Sequence, residues 1–315
     1  MDSALEALRS TIAARRYYVD GATKSAIADE LRISRFKVAR LIDRAVKDGI
    51  ITFTVNEPAG VNVESSTRLA AHLGIPECVV VPVVSTDDRH RTQGLGRASA
   101  GILAELLDDG QLLGITWGRT LRTLVDALRD VPKVQVVQLV GGIVSGPLEF
   151  SPADLIRTLA SRTAGQAHPL HAPLLADSAE SAATIRAETS IAATMSLFTR
   201  LDRAVVGIGS WTGDGSALRA ALPADVVAAC LRAGVVADVG TTLIGDGGEI
   251  LDVAELGQRA IGATTTQLRS VPDVTAVAGG PDRARAITAA CRTGLIHRLV
   301  TDDVTARRLL DETRR

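Results

Sequence analysis

The sequence predicts an α/β protein in which a small helical unit precedes a doubly wound parallel sheet. From Cys78 onward the 315-residue chain repeats one plan: a short apolar run, a glycine-bearing turn and an amphipathic helix. Before that point, residues 23–49 contain two short helical patterns joined by a tight turn. Between the two parts, Pro58 and Gly60 are residues that end one element and start another. We therefore predict a domain of residues 1–57 and a second of residues 58–315.

The second part is predicted from its apolar runs, which are CVVVPVV, QLLGIT, VQVVQLV, LHAPLLA, RAVVGIG, VTAVAGG and HRLVTD. Runs that are apolar on both faces are typical of parallel strands covered by helices on each side. The repeated plan therefore predicts a Rossmann-like, doubly wound sheet. In such sheets ligands bind beyond the carboxyl ends of the strands, so functional residues are expected at that edge.

The helical unit is predicted from capping residues and apolar spacing. Thr23 can cap a first helix, and Ser34 can cap a second. The first helix has Ile27, Ala28 and Leu31 at helical spacing, and Gly49 is a natural stop for the second. The second helix is expected to bury one apolar stripe: Val38, Leu41, Ile42, Ala45 and Val46.

The outward face of that second helix is cationic. Once its apolar stripe points to the core, the outer face carries Arg35, Phe36, Lys37, Arg40, Arg44 and Lys47. In helix-turn-helix proteins the second helix enters the major groove and its first turns contact base edges. The predicted DNA-binding set is Thr23, Ser34, Arg35, Phe36, Lys37, Arg40, Arg44 and Lys47, with Arg44 and Lys47 nearer to phosphate. The alternative is a solvated basic face on an ordinary helical hairpin.

The segments that flank these helices carry weaker predictions. The first 21 residues predict a helix that packs on the other two through Leu5, Leu8, Ile12 and Tyr17. ITFTV, residues 51–55, alternates as a strand does. Residues 64–73 predict a helix that either spaces the DNA-binding unit or pairs with a second subunit.

Composition predicts a cytoplasmic globular protein. The net charge of −1 hides an asymmetry, because residues 1–56 carry ten Lys or Arg against seven Asp or Glu, or +3, which leaves −4 for the remainder. The three cysteines, Cys78, Cys230 and Cys291, are far apart and form no CxxC pair, which favours reduced, semi-buried thiols. No stretch has the pattern of a secretory signal or the length of a membrane span.

Four glycine-bearing turns follow predicted strands. Residues 114–120, GITWGRT, leave a strand and enter a helix, so backbone amides and the Thr120 hydroxyl could surround an anion. Gly141-Gly142, Gly207 to Ser210 and Gly279-Gly280 are similar strand exits. A single such glycine usually serves backbone geometry, but four on one edge predict a phosphate-sized pocket. Neither GxxxxGK[ST] nor GxGxxG spacing occurs, so no nucleotide cofactor is predicted.

Other candidate chemistry is sparse. His168 and His171 could bind a metal but are better explained as loop histidines, so no metal site is predicted. Asp214 and Asp246 lie in glycine-rich turns, where aspartate commonly forms the turn. Asp302 and Asp303 predict a cap for the last helix. No Ser/His/Asp order or cysteine nucleophile suggests a catalytic site.

Taken together, these motifs resemble the SorC family of sugar-responsive transcriptional regulators, which is sometimes grouped with the deoxyribonucleoside regulators. The N-terminal resemblance lies in residues 17–51, YYVDGATKSAIADELRISRFKVARLIDRAVKDGII. Further matching stretches are GITWGRTL, QLVGGI, HAPLLADSAE, VVGIGSW, GVVADVGTTLIGDGGEI, AVAGGPDRARAI and LVTDDVTARRLL. Each stretch is loose by itself, whereas their order along one chain is specific.

The resemblance implies a larger domain that folds like sugar-phosphate isomerases and deaminases but senses an effector, commonly a phosphorylated sugar. It implies that the loop of Trp117 to Thr120 and the carboxylate of Asp238 contact the effector. At Arg283 the family often has lysine, and the exchange replaces a compact ammonium by a wider fork. The complete predicted effector set is Trp117, Gly118, Arg119, Thr120, Gly141, Gly142, Gly209, Asp238, Gly280 and Arg283.

The predicted function is regulation of a carbohydrate or polyol operon through ligand-linked DNA binding. The resemblance implies a homodimer or homotetramer that places helix-turn-helix units on repeated half-sites. One alternative is an enzyme, a sugar-phosphate isomerase or deaminase whose N-terminal helices serve oligomerisation. Another is an architectural DNA-binding protein without a ligand, which would leave the glycine-rich edge without a role.

Overall fold

A computed structural model describes residues 4–53, 60–83, 87–142, 152–213 and 215–311. The chain divides into two compact units, Met1–Glu57 and Pro58–Arg315. Among the described residues, no helix combines the length and the apolar composition needed to cross a membrane.

The first unit is built from three helices. These are α1 (Ala4–Tyr18), α2 (Lys24–Leu31) and α3 (Arg35–Lys47). The core between them consists of Ala13, Ile27, Ala28, Val38, Leu41 and Ile42. The small side chains of Ala13 and Ala28 allow helix backbones to approach closely, and each buried residue on α2 and α3 belongs to the predicted apolar stripes.

The turn between α2 and α3 forms as the capping residues predict. The Thr23 side chain accepts a hydrogen bond from the backbone N–H of Ala26, and Ser34 accepts one from that of Lys37. Arg32 ends α2 in the left-handed region at φ +52°. That conformation reverses the chain within three residues and positions the start of α3.

Three predictions for this unit were wrong. Leu5 and Leu8 are each 55% exposed, because α1 contacts the core through Ala13 and the half-buried Tyr17 instead. Val46 is 39% exposed at the edge of the apolar stripe. Residues 51–53 are not a strand, and residues 54 and 55 lie outside the described ranges. Phe53 instead packs edge-on against Tyr18, with ring centroids 4.8 Å apart.

The second unit alternates strands and helices. Its helices are α4 (Val63–Leu73), α5 (Asp88–Leu106), α6 (Arg119–Ala127), α7 (Pro152–Arg162), α8 (Ala179–Ala187), α9 (Thr189–Ser196), α10 (Ala217–Ala221), α11 (Ala224–Arg232), α12 (Leu256–Arg259), α13 (Thr265–Arg269), α14 (Ala284–Arg292) and α15 (Asp303–Asp311). Short 3-10 helices cover Leu197–Thr199 and Pro281–Arg283. Its strands are β1 (Glu77–Val81), β2 (Leu112–Ile115), β3 (Gln135–Gln138), β4 (Ala167–His168), β5 (Arg203–Gly207), β6 (Gly209–Ser210), β7 (Val235–Val239), β8 (Thr242–Gly245), β9 (Ile250–Leu251), β10 (Asp273–Val277) and β11 (Arg298–Asp302).

The main sheet confirms the predicted doubly wound architecture. Its strand order is β1-β11-β10-β5-β2-β3-β4, and every neighbouring pair is parallel. Residues of one strand alternate between two cores: on β5, Val205 packs on one face, while Ala204 and Val206 pack on the other. Helices α5, α6 and α7 cover the first face. Helices α4, α14 and α15 contribute to covering the second.

Helix α4 is an integral part of the second unit. Leu69 and Leu73 are buried in its core. The Ser66 hydroxyl accepts a hydrogen bond of 2.9 Å from the Val80 backbone N–H, which attaches α4 to β1.

A small antiparallel sheet, β6-β7-β8-β9, was not predicted. Two of its strands, β6 and β9, have only two residues each, too few to produce a distinct periodic signal. The run LHAPLLA, predicted as a strand, is irregular. It makes isolated bridges from Pro173 to Gly142 and from Leu175 to Ala260, because Pro173 in the middle of the run cannot donate to a regular ladder. The strand of that region is the shorter β4.

The amino ends of four strands are linked by ion pairs. Asp273 on β10 accepts from Arg203 on β5 and from Arg298 on β11, the latter at 2.9 and 3.0 Å. Arg298 also donates to Glu77 on β1 at 2.7 Å. The side chains of Arg203, Arg298 and Asp273 are only 13–22% exposed, so the pairs are partly desolvated.

This network generates a stability prediction. Replacing Asp273 by alanine leaves two facing guanidinium groups without their shared carboxylate, so we expect a loss of about 2 to 3 kcal/mol in the free energy of unfolding. Urea denaturation measures the change. The control, Glu105→Ala, removes the same charge from an exposed position on α5. Equal stability of the two variants would contradict a stabilising role for the network.

Candidate functional site

The predicted site edge is formed by adjacent strands. β10, β5, β2 and β3 are consecutive in the sheet, so their four glycine-bearing exits lie side by side. The prediction that these turns meet at one edge is confirmed by this strand order. α5, which follows β1, and α6, which follows β2, begin at the same edge.

Side-chain hydrogen bonds connect neighbouring exits. The buried Thr116 hydroxyl, just after β2, accepts a hydrogen bond of 3.2 Å from the Gly207 backbone N–H at the end of β5. The Trp117 indole N–H donates to the carbonyl of Gly141, beyond β3, at 3.1 Å. The polar atom of Trp117 therefore has a structural partner, and only its half-buried ring remains to contact a ligand.

The start of α6 is held rigidly at this edge. Gly118 precedes the helix, and no side chain caps the first amides of α6. Arg119 is largely exposed and Thr120 is half-buried. Helix α5 approaches so closely that a methyl group at Gly96 would lie 2.6 Å from Cβ of Thr123. This contact fixes the orientation in which α6 presents its first turn.

Gly141 and Gly142 have a packing role. A Cβ atom at Gly141 would lie 2.3 Å from the carbonyl oxygen of Pro173, so no other residue fits there without a backbone shift. The Gly142 N–H donates to the Ala172 carbonyl at 2.8 Å. Both glycines therefore bring residues 172–174 against the exit of β3, which is the backbone role that such glycines commonly have.

Asp238 lies buried on β7, opposite Gly209 of β6. Its Oδ1 accepts hydrogen bonds from the Trp211 indole N–H at 2.8 Å and from the Ser216 hydroxyl. A Cβ atom at Gly209 would lie 2.3 Å from the same carboxylate, so glycine is needed there. Burial raises the pKa of Asp238 to about 6, although both hydrogen bonds and the charge of Arg283 lower it.

Three arginines, one each from α5, α6 and the 3-10 helix after β10, interact with the carboxylate of Asp88. Asp88 in the first turn of α5 lies 3.4 Å from Nη1 of Arg91 and 3.8 Å from Nη2 of Arg119. Burial lowers the pKa of the Arg283 guanidinium, as do the nearby charges of Arg119 and Arg91, whereas Asp88 opposes this effect. A Cβ atom at Gly280 would lie 3.7 Å from Arg91 and 3.8 Å from Arg283, which places both guanidinium groups beside the exit of β10.

Arg91 is the candidate residue that sequence reasoning missed. It lies after β1, a strand whose exit carries no glycine pair, and its side chain is only 8% exposed. The signal that could have found it is a cation in the first turn of a helix that follows a parallel strand. The resemblance pointed to Arg119 and Arg283, and the tertiary structure adds Arg91 to them.

Asp302 stabilises the exit of β10 through hydrogen bonds to backbone N–H groups. One of its oxygens accepts a hydrogen bond of 3.1 Å from the Gly280 N–H, and the other accepts one of 2.8 Å from the Thr305 N–H. The predicted capping role of Asp302 is thus confirmed. Gly280 adopts φ +115°, a region that glycine occupies without strain.

The histidines do not form a metal site with their surroundings. His168 Nε2 lies 3.0 Å from Oε1 of Gln135, and burial lowers the pKa of this histidine. Within the part of the chain that the structure describes, no three His, Cys, Asp or Glu side chains are arranged to hold a metal ion. Cys78, Cys230 and Cys291 are buried free thiols, as predicted.

A cavity of about 640 Å³ lies away from this edge, between the end of α6 and α7. Arginines in its lining already have hydrogen-bond or ion-pair partners within the protein. Arg129 donates to the carbonyls of Asp126 and Leu128, and Arg157 pairs with Asp154 at 3.4 Å. Arg129 thus closes the end of α6, and Arg157 forms a pair within α7, so we consider the cavity a weaker candidate ligand site than the edge with Arg91, Arg119 and Arg283.

In the first unit, the outer face of α3 is largely exposed. Phe36 is 84% exposed, an unusual position for a large apolar ring, and Arg35, Arg40 and Lys47 are exposed beside it. Arg44 differs, because it pairs with Glu6 at 3.2 Å and with Asp48 at 3.0 Å. The predicted basic face is therefore present, and Arg44 is its least available cation.

Comparison with known proteins identifies the family. Residues 58–311 match the family model described as "Putative sugar-binding domain". The transcriptional regulator LsrR of Enterobacter sp. (strain 638) is 31% identical over 93% of this chain and 90% of its own length. The chain belongs to the SorC family of sugar-binding transcriptional regulators. The predicted family and the predicted function of a sugar-responsive transcriptional regulator are confirmed.

Solved structures agree with this assignment. The full-length sorbitol operon regulator SorC from Klebsiella pneumoniae superposes with a TM-score of 0.75 and 25% identity, covering 98% of this chain and all of that one. A transcriptional regulator from Streptococcus pneumoniae TIGR4 has a TM-score of 0.73 over 80% of this chain and 98% of its own, and at 22% identity it supports the fold alone. The SorC-family fold thus includes both units.

The buried carboxylate of this SorC-family protein generates a pH prediction. Asp238 is ionised in the unfolded chain above its ordinary pKa of about 4, but in the folded protein only above about pH 6. Its protonated form therefore contributes stability that is fully present below about pH 4 and is lost as the pH rises through about 6. The Asp238→Asn variant cannot ionise there and should lack this loss.

Urea denaturation of both proteins from pH 4 to pH 7 tests the prediction. Relative to Asp238→Asn, the wild-type protein should lose about 1 to 3 kcal/mol of unfolding free energy across that range. If the two stability curves stay parallel, the Asp238 carboxyl does not titrate in this window.

Proposed function

We propose that this regulator binds a phosphorylated sugar at the carboxyl edge of its main sheet and couples that binding to its affinity for operator DNA. The observation that carries the proposal is the convergence of Arg91, Arg119 and Arg283 beside four glycine-bearing strand exits. Guanidinium groups bind phosphate in a fixed, forked geometry that suits its oxygens.

The phosphate is expected between the first turn of α6 and the exit of β10. There the three arginines outnumber the two carboxylates, Asp88 and Asp238, whose charges act on Arg283, which leaves positive charge to attract a phosphate. The uncapped amides at the start of α6 supply further donors, and the positive end of the helix dipole adds to the attraction. The Thr120 hydroxyl lies in the same turn.

The sugar is expected next to Asp238. Because Oδ1 of Asp238 already accepts from Trp211 and Ser216, that oxygen holds the segment after β6 in position. We propose that Oδ2 accepts a hydrogen bond from a sugar hydroxyl, and that the Trp117 ring packs against the carbon skeleton. Gly141, Gly142, Gly209 and Gly280 act through backbone geometry and need not contact the effector themselves.

We propose binding without turnover. The relatives described above are named transcriptional regulators, and burial raises the pKa of Cys78 and of Cys291 to about 12, so neither thiol is a ready nucleophile at neutral pH.

For DNA, we propose that the exposed face of α3 enters the major groove. Arg35, Lys37 and Arg40 can donate to base edges, and the exposed Phe36 ring suits an apolar contact such as a thymine methyl. Lys47 is assigned to phosphate. Arg44 is assigned mainly to the internal pairs with Glu6 and Asp48, which is a smaller role than the sequence suggested.

The proposed regulator is a cytoplasmic homodimer or homotetramer that places two or more α3 helices on operator half-sites. An effector changes transcription only if it binds the DNA-competent and incompetent arrangements unequally. A coupling of about 1 to 3 kcal/mol would change operator affinity roughly 5- to 150-fold. The regulated genes are proposed to serve carbohydrate or polyol catabolism.

The DNA proposal predicts different phenotypes for two cations of α3. Arg40→Ala should weaken binding to a duplex selected from a random library by about 1 to 3 kcal/mol, and should relax sequence preference. Lys47→Ala should weaken binding to all duplexes similarly and reduce the slope of log affinity against log salt by about one. Gel shifts at several salt concentrations measure both effects.

The matched control for these variants is Arg232→Ala, which removes one positive charge from an exposed position on α11 in the second unit. Circular dichroism checks that each variant keeps its fold. Wild-type affinity of both Arg40→Ala and Lys47→Ala would exclude α3 as the reading helix.

The effector proposal predicts that Arg283→Met loses the response to sugar phosphates and keeps DNA binding. A thermal-shift screen of phosphorylated and free pentoses, hexoses and polyols identifies ligands, and each hit is repeated in a gel shift and in a turnover assay. Arg285→Met is the control, because this arginine is two residues away and pairs with Asp246. An unchanged response of Arg283→Met contradicts the pocket, and consumption of the ligand favours the isomerase or deaminase.

A further inference from the structure

Asp88 places a negative charge inside the site that the arginines form. Its two carboxylate oxygens face Arg91 at 3.4 Å and Arg119 at 3.8 Å. Asp88 also exerts the largest attractive charge effect on Arg283. One carboxylate thus interacts with all three guanidinium groups, and it lies where an anionic ligand would be attracted.

The pairs of Asp88 are loose by the standards of this protein. Arg298 and Asp273 approach to 2.9 and 3.0 Å with both carboxylate oxygens engaged, and both side chains are largely buried. Asp88 meets Arg91 and Arg119 through one oxygen each at longer distances, and its side chain is 54% exposed. Long, solvated pairs contribute little free energy and are readily exchanged for a stronger partner.

The arginines nevertheless need a counter-ion. Arg91 is only 8% exposed and Arg283 is half-buried, so their mutual repulsion is screened less than at an open surface. Asp88 offsets that repulsion in the chain without ligand. A phosphate would supply two negative charges and several acceptor oxygens at the same place, and it would be repelled by the Asp88 carboxylate if that carboxylate stayed.

We propose that Asp88 is a resident counter-ion that occupies the arginine site in the free protein and that an effector phosphate must displace. The inference rests on the proposed function, since it assigns a role within the same phosphate site. Because Asp88 is tethered to α5, it is present at a high effective concentration, and it lowers the apparent affinity for every anion that uses these arginines.

Displacement gives Asp88 a role in selectivity. A neutral sugar makes no ionic contacts that could replace those of Asp88 with the arginines. A ligand with a weakly bound anionic group does not offset the free energy lost when the pairs of Asp88 with Arg91 and Arg119 break. A phosphate ester with several oxygens can replace those pairs with forked contacts to the arginines. Asp88 therefore restricts the response to ligands with a strongly bound phosphate.

The test uses the full-length protein and inorganic phosphate as the probe, with affinity measured by isothermal titration calorimetry at low ionic strength. Asp88→Asn keeps the size of the side chain and removes its charge, and we expect phosphate to bind about fivefold more tightly than to the wild type. Glu105→Gln is the matched control. It removes one negative charge from the same helix, roughly 25 Å away along the axis, and should leave the affinity unchanged.

Ionic strength separates competition from a general effect on folding. The gain in Asp88→Asn should shrink when the titration is repeated at about 0.5 M sodium chloride, because added salt screens the exposed carboxylate. Asp88→Ala should show the same direction of change as Asp88→Asn, so the result does not depend on one replacement.

Weaker phosphate binding by both Asp88 variants would overturn the proposal, because it would mean that Asp88 orients the arginines for the ligand. Unchanged affinity would overturn it as well. The Arg283→Met variant distinguishes failure of the phosphate site from failure of the counter-ion role. If Arg283→Met abolishes phosphate binding while Asp88→Asn leaves it unchanged, the phosphate site stands and the counter-ion role fails. If neither the wild type nor the Asp88 variants bind phosphate, both the proposed site and the counter-ion role fail.

Discussion

Parallel pairing between neighbouring strands is the constraint on which the site depends. Strands β10, β5, β2 and β3 run in the same direction, and backbone hydrogen bonds hold such neighbours about 4.8 Å apart. Their exits therefore lie side by side whatever the intervening chain does. The hydrogen bonds of Thr116, Trp117 and Asp302 then hold these exits in one arrangement. Because the sheet and these hydrogen bonds fix the strand exits, residues that are distant in the sequence lie close together at this edge.

Charged side chains are paired differently at the two ends of this sheet. At the amino ends, Asp273 is enclosed by Arg203 and Arg298 in short, partly buried pairs that link three strands. At the carboxyl ends, the half-exposed Asp88 interacts with three arginines through longer, more solvated pairs, and the arginines outnumber the nearby carboxylates. The first arrangement stabilises the fold. The second arrangement leaves positive charge that a bound anion can neutralise, which is a property expected of a binding site.

The first unit shows a similar division between a packed face and an available one. A core of small and aliphatic side chains suffices to hold α1, α2 and α3 together, and the caps at Thr23 and Ser34 set where α2 and α3 begin. Since the core uses one face of α3, the opposite face can carry cations and the exposed Phe36 without loss of stability. The residues on that outer face can therefore change without disturbing the core of this unit.

Much of this protein could be predicted from the sequence alone, because the features concerned depend on local chemistry. The caps at Thr23 and Ser34, the apolar runs of most parallel strands and the glycine turns depend on residues close together in the chain, so their signals survive without tertiary information. The short strands β6 to β9 and the exposure of Leu5 and Leu8 depend on packing partners, and no local pattern reveals them. Only the tertiary structure assembled Arg91 and Asp88 with Arg119 and Arg283, because these four residues follow three strands, β1, β2 and β10, whose exits reach one edge only when the sheet forms. The residue types were set by the sequence, whereas the distances between their charges were decided by the fold.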